Sequence, residues 1–299
     1  MAKRQWLKLT FEIEKNLEDL IIWKLSKLGI LSFAFNYLKT KENFLGVEIW
    51  LLESKCTIQF KEKLETIFKK LINENNHYPL NFRWNHVNED WLDSWKKFWR
   101  PEQIGNNFLV LPSWMEIPKD LTTKKIIKID PGAAFGTGSH PSTFLCLQEM
   151  EKIQIQNKKV LDIGCGSGIL IIAAKILGGN NLCALDNDYL AINSTKENIK
   201  LNFNTSEDFN LYEGSFQEFV VNNSVNKYDL IVCNILADVI KPIIPRISEI
   251  LNVNGKLLLS GLLDTQEQEI IKILNLNHFF VDTVLSEKDW VCIKSTKRI

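Results

Sequence analysis

The chain has 299 residues, enough for a sizeable core and a second module. Its 45% hydrophobic and 24% charged content is that of a soluble globular protein and excludes a disordered one. Lys plus Arg and Asp plus Glu both number 36, and the zero net charge argues against strong nonspecific binding to nucleic acid, though not against a local basic patch.

The opening residues, MAKRQWLKLTFEIEK, interrupt their apolar side chains with charge too often for a signal peptide. No apolar run is long enough to span a bilayer, and a cytoplasmic protein is expected. In QWLKLTFEIE apolar and polar residues alternate as in a half-buried strand, and LEDLIIWKLSKLG has helical spacing with a glycine stop. ILSFAFNYLK and GVEIWLL read as strands, IQFKEKLETIFKKLINE as an amphipathic helix and LNFRWNHV as a closing strand. The order βαββαβ predicts a small α+β, ferredoxin-like domain over residues 1–89. That fold hosts many functions and assigns none by itself.

Residues 90–101 read as a helical linker. In EDWLDSWKKFWRP, Trp91, Trp95 and Trp99 share one helical face, and Pro101 ends the segment. Such a stripe is either a recognition surface for bases or a peptide, or a packing face. The helical spacing favours packing.

A second domain is expected over residues 102–299. NNFLVLPSW and KKIIKID are strand-like and lead into DPGAAFGTGSHPST, residues 130–143. This glycine-rich loop lacks the Gly-Lys-Ser/Thr ending of a P-loop. Ser139 and Pro141 read as the cap and first residue of a following helix. Beyond it, KKVLDIG, NLCALD, FNLYEG, YDLIVCNIL and GKLLLSGLL interleave with ILIIAAKILGG, YLAINSTKENIKLN, VIKPIIPRISEIL and TQEQEIIKILNLN. Apolar strands alternating with helices predict an α/β domain whose parallel sheet is covered on both faces. The chain closes with HFFVDTVLSEKDWVCIKS, read as a hairpin connected by Ser-Glu-Lys-Asp.

The turn in VLDIGCGSGIL carries Gly164, Gly166 and Gly168 between a strand and a helix, with Asp162 before them. The dinucleotide fingerprint would need a glycine where the chain has Ile169, so the turn alone is a moderate signal. Asp186 ends the next strand, where its carboxylate either accepts both hydroxyls of a ribose or caps the helix starting near Asp188. The two features together favour a ribose-bearing cofactor. Asn234 ends the fourth strand of the core and is either a turn residue or an acceptor for an amine; its line with the two preceding elements favours the acceptor.

Histidine is a residue type used for proton transfer, but His140 precedes Pro141, which favours a role in shaping the helix start. Asp130, before Pro131, is expected to fix a turn. The four histidines lack metal-ligand spacing, and no metal site is expected. The six cysteines form no Cys-x-x-Cys pair and read as buried, reduced thiols.

VLDIGCGSG, Asp186 and CNIL together resemble the class I S-adenosylmethionine-dependent methyltransferases over roughly residues 125–299. The resemblance implies a Rossmann-like domain with a seven-stranded, mostly parallel sheet and an antiparallel last strand. Asn-Ile-Leu-Ala replaces the Asn-Pro-Pro-Tyr of enzymes that methylate amide or base nitrogens, which makes a planar acceptor less expected. DPGAAFGTGSHPST, EDWLDSWKKFWRP, LDIGCGSGIL and CNILAD, in their spacing, are further similar to the ribosomal protein L11 methyltransferase family over essentially the whole chain. That resemblance implies a substrate-recognition domain, a helical linker and a methyltransferase domain acting on lysine and N-terminal amines of ribosomal protein L11. It implies S-adenosylmethionine as cofactor, held by Thr143, Gly164, Gly166, Asp186 and Asn234 with Phe135, Gly136 and Thr137 of the loop; Asn234 would orient the acceptor amine.

The loop is expected to cover the methionine end of the cofactor, with the helix start at Thr143 offering donors to its carboxylate. No general base is assigned. A monomer with L11 as its partner and no sequence-specific nucleic-acid contact is expected. Two other functions share these motifs: methylation of RNA or a small molecule, and a noncatalytic binding module in ribosome assembly.

Overall fold

The computed structural model describes residues 6–28, 30, 33–37, 41, 43–73, 80–87, 100–130, 140–203, 207–222 and 227–298. The chain divides into two compact units, Met1–Trp99 and Arg100–Ile299. The tryptophan stripe at residues 91, 95 and 99 lies outside the described residues.

In the first unit the order is β1 (Trp6–Glu14), α1 (Glu18–Lys27), β2 (Phe33–Tyr37), β3 (Phe44–Leu52), α2 (Ile58–Asn73) and β4 (Arg83–Val87). Alternation in β1 puts Leu7, Leu9, Phe11 and Ile13 on one face, and all four are buried. Leu17, Ile21 and Leu25 recur every fourth residue, as do Leu64, Phe68 and Ile72 of α2. Both stripes close over that face of the sheet as one core. The sheet is antiparallel throughout, ordered β2-β3-β1-β4, which is the expected ferredoxin-like arrangement.

The second unit begins with a three-stranded sheet of β5 (Glu102–Ile104), β6 (Phe108–Pro112) and β7 (Lys125–Ile129). There follow α3 (Pro141–Met150), β8 (Lys159–Ile163), α4 (Ile169–Ile176), β9 (Asn180–Asp186), α5 (Tyr189–Phe203), β10 (Phe209–Glu213), α6 (Phe216–Asn222) and β11 (Tyr228–Asn234). The chain ends with α7 (Ala237–Ile240), α8 (Ile244–Ile250), β12 (Leu251–Leu263), α9 (Glu267–Leu276), β13 (Phe279–Glu287) and β14 (Trp290–Lys297).

The seven-stranded sheet is ordered β10-β9-β8-β11-β12-β14-β13, parallel from β10 to β12, with β14 antiparallel to both neighbours. Alternate residues of each central strand feed separate cores. Val160, Leu230, Val232 and Leu258 pack with α3 and α4; Leu161, Ile163, Ile231 and Cys233 pack with α8 and α9. Burial on both faces explains why these strands read as unbroken apolar runs.

Three local expectations change. The segment VIKPIIPRISEIL is not one helix: Lys241–Ile243 is a 3-10 turn separating α7 from α8, because Pro242 has no N–H to continue the ladder. The helix cap is His140, one residue after the expected Ser139, with Pro141 in the first turn as expected. The final connection is only Lys288-Asp289, with Lys288 at φ 53°, which suits a two-residue hairpin.

Candidate active site at the carboxyl edge of the seven-stranded sheet

β8, the first strand of the sheet in chain order, has β9 and β10 laid down on one side and β11 and β12 on the other. Open α/β sheets bind ligands where the strand order reverses, beyond the carboxyl ends of the strands. Here that point is the crevice between β8 and β11. The glycine turn leaves β8 there, Asp186 ends β9 and Asn234 ends β11.

The turn needs its glycines. Gly164 has φ +74°, and a Cβ on it would collide with the side chain of Ile235. Gly168 has φ +81° and would drive a Cβ to 3.1 Å from the Cα of Thr195. The turn's amides are spent within the protein. Those of Gly164 and Cys165 both donate to the Leu185 carbonyl, at 2.9 and 3.0 Å, and that of Gly168 donates to the Cys165 carbonyl at 2.8 Å. Gly166 N–H donates to Oδ2 of Asp186 at 3.0 Å. The turn therefore offers close backbone approach rather than a cluster of free N–H donors.

Asp186 also accepts from Asp188 N–H at 3.0 Å through Oδ1. The cap of α5 is a different residue, Asp188, whose Oδ1 accepts from Leu190 N–H at 2.8 Å. Capping therefore does not account for Asp186. Burial pushes its carboxyl upward, and the N–H donors of Gly166 and Asp188 pull it back.

Asn234 and Thr143, 91 positions apart, meet. Asn234 Nδ2 donates to Thr143 Oγ1 at 3.1 Å. Thr143 sits fully buried in the first turn of α3, and its own N–H donates to the His140 carbonyl at 3.0 Å. The Oδ1 of Asn234 is buried without a hydrogen-bond partner among the described residues. A buried acceptor left unpaired is costly and asks for a donor.

His140 caps α3: its Nδ1 accepts from Ser142 N–H at 3.3 Å and lies 2.7 Å from Ser142 Oγ. Its ring meets Trp290 edge-on at 4.6 Å between centroids. Shaping the helix start is thus its visible work. Asp130 N–H donates to Oδ1 of Asn198 at 2.8 Å. Phe135, Gly136 and Thr137 lie outside the described residues, as does the rest of 131–139.

Two groups escaped the sequence reading. Asp162, the last residue but one of β8, is buried, and among the described residues neither of its oxygens meets a donor in hydrogen-bonding geometry. Burial first, and the Asp186 carboxylate second, push its carboxyl up to about 8. The Ile171 backbone amide pulls the other way. Its acidity before a glycine turn was visible; its lack of a partner was not. The second group is the buried polar face of α5. Thr195 Oγ1 donates to the Gly166 carbonyl at 3.0 Å, and Asn198 Nδ2 donates to the Ser167 carbonyl at 2.9 Å.

All six thiols are buried and free, and burial raises those of Cys165 and Cys233 well above the usual cysteine range. Among the described residues no helix is long and apolar enough to cross a membrane.

A sequence model of the family described as "Ribosomal protein L11 methyltransferase (PrmA)" matches residues 5–298. The chain belongs to this family. It is 52% identical over 298 residues to a ribosomal protein L11 methyltransferase of Prochlorococcus marinus strain MIT 9312, covering 99% of this chain and 98% of that one. With the protein of the same name from strain MIT 9515 it shares 51% over 300 residues, all of both chains. A crystal structure of a ribosomal protein L11 methylase from Lactobacillus delbrueckii subsp. bulgaricus is 29% identical, with a TM-score of 0.61. The match covers 67% of this chain and 100% of that one. Members of the ribosomal protein L11 methyltransferase family thus share sequence with this chain through both units.

Proposed function

We propose that this protein transfers methyl groups from S-adenosylmethionine to amino groups of ribosomal protein L11, lysine side chains and the N-terminal α-amine, in the cytoplasm. Membership of the family supports methyl transfer to L11. The observation that carries the amine reading is the buried, unpartnered Oδ1 of Asn234 at the carboxyl edge of β11. An amine N–H satisfies that acceptor, and the bond from Nδ2 to Thr143 holds the amide in place to receive it.

The residues present fit the cofactor. Half-buried Asp186 offers a carboxylate suited to ribose hydroxyls, and buried Asp162 lies two residues before the first glycine of the turn. Gly164 and Gly166 let the cofactor's body lie against the backbone. Thr143, whose amide is already engaged, offers its hydroxyl. S-adenosylmethionine bound there supplies an electrophilic methyl on a sulfonium.

With the cofactor bound, the protein's main contribution would be alignment: Asn234, held by Thr143, would orient the acceptor nitrogen. The amine must arrive neutral. Lysine titrates near ~10.4 and an α-amine near ~8, so the lysine pays the larger deprotonation cost. A crevice of low dielectric disfavours the ammonium, and Asn234 Oδ1 orients the neutral form.

The test offers full-length protein with methyl-labelled cofactor to L11, to ribosomal RNA and to a metabolite extract. Label is expected in L11, on lysine and α-amino nitrogens resolved by mass spectrometry. Asp186→Ala is expected to weaken cofactor binding by more than about tenfold, roughly 1.4 kcal/mol. Label confined to RNA or metabolites, or ribosome binding with no transfer, overturns the proposal.

A further inference from the structure

Thr195, Asn198 and Asn202 are spaced by three and four residues along α5 and share one face. Thr195 and Asn198 are almost fully buried, an unusual place for polar side chains unless every polar atom is engaged. They are engaged with two separate segments. Asn198 Nδ2 donates to the Ser167 carbonyl of the glycine turn at 2.9 Å, and its Oδ1 accepts Asp130 N–H at 2.8 Å. Asp130 is the residue at which the chain leaves β7 towards 131–139. Asn202 works one turn further on and touches neither end of that bridge: its amide exchanges bonds with the backbone of Lys128 at 2.8 and 2.7 Å.

We propose that Asn198 is a positioning residue for the cofactor: one buried amide holds the glycine turn at Ser167 in fixed register with the end of β7 at Asp130. An amide is the side chain for this task, because it presents a donor and an acceptor on one rigid plane. Asn198 does not touch the cofactor; it acts through Ser167 and Asp130. The inference rests on the cofactor reading above. It predicts that loosening Asn198 raises the Kd and KM for S-adenosylmethionine, while kcat at saturating cofactor and the KM for L11 change little, the pattern of a lost binding contribution.

Asn202 supplies a matched control, since it lies on the same helix face, makes comparable backbone bonds, one of them to the Asn198 carbonyl one turn back at 2.7 Å, and touches neither Ser167 nor Asp130. Calorimetric cofactor binding and methyl transfer to L11 are measured on full-length wild type, Asn198→Ala and Asn202→Ala, well below all three melting temperatures. Asn198→Ala is expected to raise the cofactor Kd about tenfold or more, and Asn202→Ala less than about twofold, with similar falls in Tm. Asn198→Asp is isosteric and keeps the acceptor for Asp130 while losing the donor to Ser167. It is expected to fold and still bind cofactor more weakly than wild type, and it stands in if the alanine variant does not fold. Equal Kd values for wild type and the Asn198 variants, or equal losses at 198 and 202, overturn the inference. Failure of the wild type to bind cofactor overturns the underlying reading instead.

Discussion

Asp162 is the most consequential single side chain in the second unit, because it is a buried acid without a hydrogen-bond donor among the described residues. In the unfolded chain a carboxyl titrates near 3.8; in the folded protein this one is pushed up to about 8. Between those limits the native state holds a proton that the unfolded state has lost. Stability from this group therefore falls as pH rises from about 4 to about 8, by up to about 1.4 kcal/mol per unit. Asp162→Asn keeps the shape and removes the titration. Denaturant unfolding at pH 5.5 and 7.5 is expected to show a smaller loss in the variant than in wild type; parallel losses would refute the assignment. Asp186 and Asn234 were legible from sequence because each ends an apolar strand, and strand ends mark the ligand-binding edge. Thr195 and Asn198 were not, because polar residues on an amphipathic helix read as its solvent face.

Elements carry their own ties. Glu151, at the end of α3, accepts three amides of the turn between β5 and β6: Asn106 at 2.9 Å, Asn107 at 2.7 Å and Phe108 at 3.0 Å. One carboxylate thus pins the small sheet to the helix that carries Thr143. Glu151→Ala orphans these amides and is expected to cost about 2–3 kcal/mol of stability, measured by urea unfolding, since bonds to a charged acceptor are worth about 1.5–3. A loss below about 0.5 kcal/mol would show that water replaces the carboxylate. Most elements were legible because their periodicity is strong. β5 was missed because three residues are too few to alternate, and α6 because FQEFVVN packs only Phe216, Phe219 and Val220 inward.

The molecule comprises two units, the first with one apolar core and the second with two, and the family match runs through both. Their strand orders follow from the order in which strands and helices alternate along the chain, which is why both folds could be anticipated. The thiols divide unequally between them. Cys56 lies in the first unit, and Cys146, Cys165, Cys183, Cys233 and Cys292 in the second; every one is buried. Alkylation is therefore gated by opening of the fold, and an intact-mass spectrum becomes a counter. In rising denaturant, one added label reports opening of the first unit and five that of the second. Rapid labelling in native buffer would show that the thiols are not enclosed. The chain carries its own reporter for which of its halves gives way first.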